Sequence, residues 1–104
     1  MYQIEFYNNK VEKEVLSWPA GIQANFFKIV EMMMVHGSNL GEPKTKAIEK
    51  GLFEIRAKGK EGIGRAFYCT VKGQKIIILH AFIKKSQKTP KKDLDLARNR
   101  RKDV

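Results

Sequence analysis

Tyr2, Ile4 and Phe6 alternate with Gln3, Glu5 and Tyr7, a period of two that predicts a first strand. A short helical segment through Val11, Val15 and Leu16 follows, and Pro19 heads a longer helix, where its fixed φ and missing N–H are tolerated. Ile22, Phe26, Ile29 and Met33 then recur at spacings of four, three and four, an apolar stripe that Gly37 ends. At that spacing Met32, Met33 and Met34 read as core filling rather than as a cofactor site. Gly37 to Pro43 is rich in turn residues and predicts a loop. Lys44 to Lys50 is polar apart from Ala47 and Ile48, and no element is assigned to it.

After Gly51 the period returns to two. Leu52 to Arg56, Arg65 to Val71 and Lys75 to Ile83 predict three strands of an antiparallel meander. A glycine-bearing loop (Gly59, Gly62, Gly64), holding Lys58 and Lys60, joins the first two, and a tight Lys72-Gly73-Gln74 turn joins the last two. Ile76 to Ile83 is apolar on both faces apart from His80, as expected of a central strand covered on both sides. Strict alternation places His80 on the face of Ile78 and Phe82, and Glu54 on the face of Leu52 and Arg56. Thr89 before Pro90 predicts the cap and first residue of a terminal helix reaching about Arg101, with a thin apolar stripe of Leu94, Leu96 and Ala97. The class is α+β, one domain over residues 1–104: a small antiparallel sheet with a mixed edge, an N-terminal helix pair on one face and a short C-terminal helix.

Charge gives this scaffold a direction. The chain carries 21 Lys and Arg against 11 Asp and Glu, a net charge of +10 on 104 residues. Residues 1–42 hold three basic and five acidic residues, so the remainder carries the whole excess, eighteen against six. A one-sided basic surface attracts polyanions and releases their counterions, which makes a nucleic acid the leading partner. No apolar run approaches the ~20 residues that span a bilayer, and Met1 is followed by Tyr, Gln, Ile and Glu rather than by a secretion signal. No membrane partner is expected. With Cys69 alone there is no internal disulfide and no Cys-based zinc site, so a reducing, cytoplasmic setting is expected.

The meander gathers the cations. Arg56 ends one strand and Arg65 begins the next, and Lys84 and Lys85 follow the third as it returns to the same edge. Arginine grips a phosphate bidentately and lysine acts as a mobile point charge, so the group suits holding a phosphate and the extra charge of a pentacoordinate transition state. Lys58, Lys60, Lys88, Lys91, Lys92, Arg98 and Arg101 are the expected contacts to an RNA backbone; the alternative is a purely electrostatic footprint. Glu54 among these cations stays ionised and can act as a base, or serve as a structural partner of Arg56. His80 is a buried, hydrogen-bonded histidine or a proton-transfer group. The two histidines and scattered acids lack metal-ligand spacing, and Gly59-Lys-Glu-Gly-Ile-Gly64 matches no nucleotide-binding loop. Neither a metal nor another cofactor is expected.

Leu40-Gly-Glu-Pro43, Gly51-Leu-Phe-Glu-Ile-Arg56, Gly64-Arg-Ala-Phe-Tyr68 and above all Leu79-His-Ala-Phe-Ile-Lys-Lys-Ser-Gln-Lys-Thr-Pro90 resemble the HigB-type, phage-derived branch of the RelE/ParE toxin superfamily. The resemblance spans nearly the whole chain and implies a RelE-like fold. It also implies a toxin of a type II toxin–antitoxin pair, an endoribonuclease that cleaves mRNA in the ribosomal A site by metal-independent attack of the RNA 2′-hydroxyl. The implied partners are the ribosome, mRNA and a cognate antitoxin, a small helix-turn-helix protein. By position Arg56, Arg65 and Lys84 or Lys85 match basic active-site residues, and Glu54 stands where members carry either a basic residue or a glutamate base. Gln87, Lys88 and Thr89 occupy the place of the tyrosine that RelE carries beyond its last strand, which brings His80 forward as general base. A ParE-like gyrase inhibitor and a non-catalytic RNA-binding module are the alternatives.

Overall fold

The computed structural model describes residues 1–85 and 90–104. In chain order the elements are β1 (Gln3–Phe6), α1 (Asn9–Leu16), α2 (Ala20–His36), β2 (Thr45–Glu49), β3 (Leu52–Gly59), β4 (Gly62–Val71), β5 (Lys75–Ile83) and α3 (Lys91–Lys102). The five strands form one sheet in the order β1-β5-β4-β3-β2, antiparallel except where β1 runs parallel to β5. The α+β class, the meander, the N-terminal helix pair and the terminal helix stand as the sequence predicts them.

Helices cover both faces. On one side Val11 and Val15 of α1 and Ile22, Phe26, Ile29 and Met33 of α2 pack on Ile55, Ala57, Ala66, Tyr68, Ile76 and Ile78. Periodic apolar residues are what let these helices hold their place, since burial of each such side chain contributes about 1.5–3 kcal/mol. Trp18 meets Phe26 edge-on at 5.6 Å and donates its Nε1–H to Glu14. On the other side Ala97 of α3 lies over Leu52, Phe67, Cys69, Ile77 and Leu79. Both faces of β5 are therefore covered, which accounts for its unbroken apolar run.

Four details differ from the sequence expectation. The polar stretch after Pro43 is an edge strand, β2. It draws its order from pairing with β3 (Thr45 with Ile55, Lys46 with Glu54) rather than from burial of its own, and its lysines suit an edge facing water. Second, β3 and β4 run into the predicted glycine loop, leaving a turn of only Lys60 and Glu61. Lys58 is thus a strand residue opposite Ile63, and only Lys60 sits at the tip. Third, a bulge in β5 breaks the alternation: Phe67 pairs with His80 but Tyr68 with Ile78. His80 stacks on Phe82 at 5.6 Å, while Ile78 faces the α1 and α2 core. Fourth, Pro90 precedes the terminal helix as its cap residue and the helix begins at Lys91; the predicted cap, Thr89, lies outside the described residues.

The tip of the β3–β4 hairpin is fastened to the start of α2, which has no side-chain cap of its own. Glu61 supplies one from across the sheet, accepting the Gly21 N–H at 3.0 Å, and these backbone bonds hold its carboxyl below the usual range. The approach is close enough to demand glycine. A Cβ on Gly59 would stand 2.6 Å from the Ile22 nitrogen, and one on Gly64 would stand 2.7 Å from the Trp18 ring.

Candidate functional site

Four strand ends converge at one corner of the sheet. Arg56 and Arg65 are direct cross-strand partners in β3 and β4. Pairing continues past the formal strand ends, with Arg56 N–H donating to the Lys44 carbonyl at 2.9 Å and Lys84 N–H to the Ile63 carbonyl at 2.7 Å. These two bonds bring Lys44 and Lys84 to the flanks of the arginines. The resulting cleft, about 420 Å³, is lined by Asn25, Pro43, Lys44, Arg56, Lys58, Ile63, Arg65 and Lys84.

Behind it lies Glu54, whose side chain has 0% exposure. Its Oε1 accepts the Arg56 Nε–H at 2.9 Å, and its Oε2 stands 3.2 Å from Arg65 Nη1. Two guanidinium groups on adjacent strands repel each other, and one buried carboxylate between them offsets that repulsion and fixes their direction. The Arg65 side chain is 4% exposed and that of Arg56 31%, so Arg56 opens further to solvent, with Glu42 at 3.8 Å from its Nη1. Lys84 is held below the usual lysine range, first by partial desolvation and then by the charges of Arg65 and Arg56. Among the described residues the cations lining the cleft outnumber Glu54 and Glu42, which suits it to an anion.

Arg56, Arg65, Lys84 and Lys58 thus come together as expected. Glu54 belongs to the cluster too, with no exposed surface and both oxygens against arginines. Lys85 is exposed and does not line the cleft, and Lys60 is exposed at the hairpin tip. His80 stands elsewhere. Its Nε2 lies 2.6 Å from Asp93 Oδ1 of α3, beside a separate cavity of about 160 Å³ shared with Lys10, Glu14 and Arg100. It is hydrogen-bonded, and it does not line the cation cleft.

The terminal helix also departs from its expected role. Lys91 and Lys92 are exposed in its first turn, and Lys88 lies outside the described residues. Arg98, however, donates to Glu49 from Nη2 at 2.7 Å and Nε at 3.0 Å, and to Asp95 at 3.0 Å. Arg101 donates to the Lys50 carbonyl at 2.6 Å. Arg100 donates to the Leu79 carbonyl and lies over the Tyr7 ring at 4.9 Å. With so few apolar residues, α3 docks through its arginines, and Arg98 and Arg101 hold it to the β2 end and the turn after it. Asn25, Pro43, Lys44 and Ile63 are the lining residues that the sequence reading missed. For Lys44 the missing signal was β2 itself, and for Asn25 it was the hairpin's approach to α2.

Among the described residues no three His, Cys, Asp or Glu side chains cluster so as to hold a metal ion, and no helix is long and apolar enough to cross a membrane.

Comparison with known proteins places this geometry in context. A crystal structure of the archaeal RelE-RelB complex from Pyrococcus horikoshii OT3 contains a chain that superposes with a TM-score of 0.59 at 20% identity, covering 79% of this chain and 93% of that one. The sheet and its helices are thus the RelE fold. No curated protein matches the chain. Residues 13–102, the hairpin, the cation cleft and α3 among them, match the family described as phage-derived protein Gp49-like. The chain belongs to that phage-derived Gp49-like family, a RelE/HigB-type toxin family within the RelE superfamily.

Proposed function

We propose that this protein is the toxin of a type II toxin–antitoxin pair and an endoribonuclease that cleaves mRNA in the A site of the ribosome. The observation that carries the reading is the cleft in which Arg56 and Arg65, braced by buried Glu54, stand beside Lys84; membership of a RelE/HigB-type toxin family supports it. The substrate supplies the nucleophile. The 2′-hydroxyl gives up its proton to water as its oxygen bonds to the adjacent phosphorus and the bond to the 5′-oxygen breaks, leaving a 2′,3′-cyclic phosphate and a 5′-hydroxyl. Negative charge that builds on the non-bridging oxygens falls to Arg56 and Arg65, which are already aimed and need no reorganisation. Lys84, whose lowered pKa makes it a readier acid than an ordinary lysine, gives its proton to the departing 5′-oxygen. Lys58 and Lys44 steer the flanking backbone.

The partner is a cognate antitoxin that neutralises the basic surface, in keeping with the RelE-RelB complex formed by the structural relative; a small helix-turn-helix protein is the form proposed. The test is single-turnover cleavage of a programmed ribosome by saturating protein. Arg65→Ala should lose on the order of 10²–10³ in rate, the cost of removing one preorganised charge, whereas Lys102→Ala on α3 should only weaken association. Equal losses rescued by low salt would reduce the cleft to an RNA-binding surface, and arrest of DNA synthesis with translation intact would replace this reading with gyrase inhibition.

A further inference from the structure

The cleft's lining is of two kinds. Arg56, Arg65 and Lys84, with Lys44 and Lys58, bring positive charge, while Pro43, Ile63 and Asn25 bring two apolar side chains and one amide. At about 420 Å³ it falls in the range of roughly 300–1,000 Å³ typical of small-ligand sites and exceeds what a bare phosphate needs. Asn25 is fixed there: its Nδ2–H donates to the Lys58 carbonyl at 2.9 Å, across the seam that Glu61 and Gly59 hold shut. That bond occupies the amide nitrogen, and among the described residues nothing donates to the Asn25 carbonyl oxygen. A rigid acceptor beside an apolar surface, next to a phosphate-sized group of cations, matches the two ends of a nucleotide.

We propose that the cleft holds one nucleotide with its phosphate on Arg56, Arg65 and Lys84 and its base against the apolar side chains of Pro43 and Ile63, where Asn25 accepts a hydrogen bond from an exocyclic amine. Adenine, cytosine and guanine carry such an amine and uracil does not, so Asn25 makes this subsite prefer the first three. The inference deepens the nuclease reading and rests on its phosphate site, but it concerns recognition and not cleavage.

The experiment therefore measures binding alone. The four nucleoside 3′-monophosphates are titrated into the full chain and followed by backbone amide shifts in NMR. Shifts at Arg56, Arg65 and Ile63 are expected with all four, and the uridine nucleotide should bind about three- to tenfold more weakly, the span of one net hydrogen bond. Asn25→Ala, and independently Asn25→Leu, which keeps an apolar wall should the alanine variant fold poorly, should bring the other three to the uridine affinity. Equal affinity of all four for the wild-type chain, or a preference that survives both substitutions, would overturn the assignment. Retained base preference in a protein that leaves ribosome-bound mRNA intact would instead sink the nuclease reading and leave the subsite standing.

Discussion

Glu54 Oε2 and Arg65 Nη1 lie 3.2 Å apart within the sheet, the acid side chain fully withdrawn from solvent and the base nearly so. The charge of Glu54 is therefore balanced inside the protein rather than by water. Glu54→Ala leaves two cross-strand arginines without their shared anion and should destabilise the fold by about 3–5 kcal/mol, as expected when one member of a buried pair is removed. Urea denaturation measures this. Inorganic phosphate should restore stability to the variant more than it stabilises the parent, because an anion in the cleft then takes over part of the missing charge. No differential rescue would mean that the arginines do not form the anion site.

Lys84 supplies a pH test. Its pKa is lowered by desolvation and by Arg65 and Arg56, so between that value and the ordinary 10.5 the unfolded chain binds more protons than the folded one. Stability contributed by this residue therefore rises with pH across the window. Anion affinity should move the opposite way, falling as Lys84 loses its proton at a pH where ordinary lysines remain charged. Side-chain NMR titration of Lys84 should show an upward shift in Arg65→Ala, which removes one of the lowering charges. An unchanged titration would place the two groups in separate environments.

The seam between hairpin and α2 predicts a strict glycine. In Gly59→Ala the new methyl would meet backbone on two sides, the Ile22 nitrogen at 2.6 Å and the Gly21 carbonyl carbon at 2.7 Å, and backbone cannot step aside as a side chain can. A loss of about 1–3 kcal/mol is expected from such overpacking. It should be accompanied by weaker protection of the Gly21 amide in hydrogen exchange, as its bond to Glu61 opens. A variant of full stability would show that the seam yields freely.

Cys69 reports on the last helix. It is 3% exposed beneath α3, and burial pushes its thiol pKa up. Arg98→Ala removes the ion pair to Glu49, whose carboxyl that contact holds below its usual range. Both partners are partly exposed, so the cost in global stability should be modest. Local opening should rise more visibly, as faster labelling of Cys69 by a thiol reagent under native conditions. Unaltered labelling would assign the docking of α3 to Arg100 and Arg101 instead.

The juxtaposition of Arg56 and Arg65 was readable in the chain because a period of two on either side of glycine-marked turn residues defines a hairpin and its register. The apolar stripe of α2 was readable for the same kind of reason: Ile22, Phe26, Ile29 and Met33 are all buried. What could not be read depends on neighbours distant in sequence. Glu54 can be read as a partner of Arg56, but its full burial and its second partner, Arg65, cannot be read. Strand β2 has too little apolar content to announce itself, and without it Lys44 is a loop lysine. One inserted residue at Leu79 turns His80 away from its expected face, and no periodicity rule signals a bulge in an all-apolar strand. Arg98 and Arg101 carry the same positive charge as an RNA contact would, and only the position of Glu49 and the Lys50 carbonyl distinguishes docking from display.

The parallel pairing of β1 with β5, Gln3 beside Lys75, ties the first strand of the chain to the last. During synthesis β1 emerges early and has no partner strand until about two-thirds of the sequence has followed it. The sheet corner that holds the cleft is equally late, since Lys84 takes its place only when β5 is laid down beside β4. A chain still being made on a ribosome therefore lacks the complete cation cluster until Lys84 is free. Contacts so far apart in sequence also make folding slow relative to local structure formation. For a protein whose proposed target is the machine that produces it, this order of assembly completes the cleft only after β5 has been made.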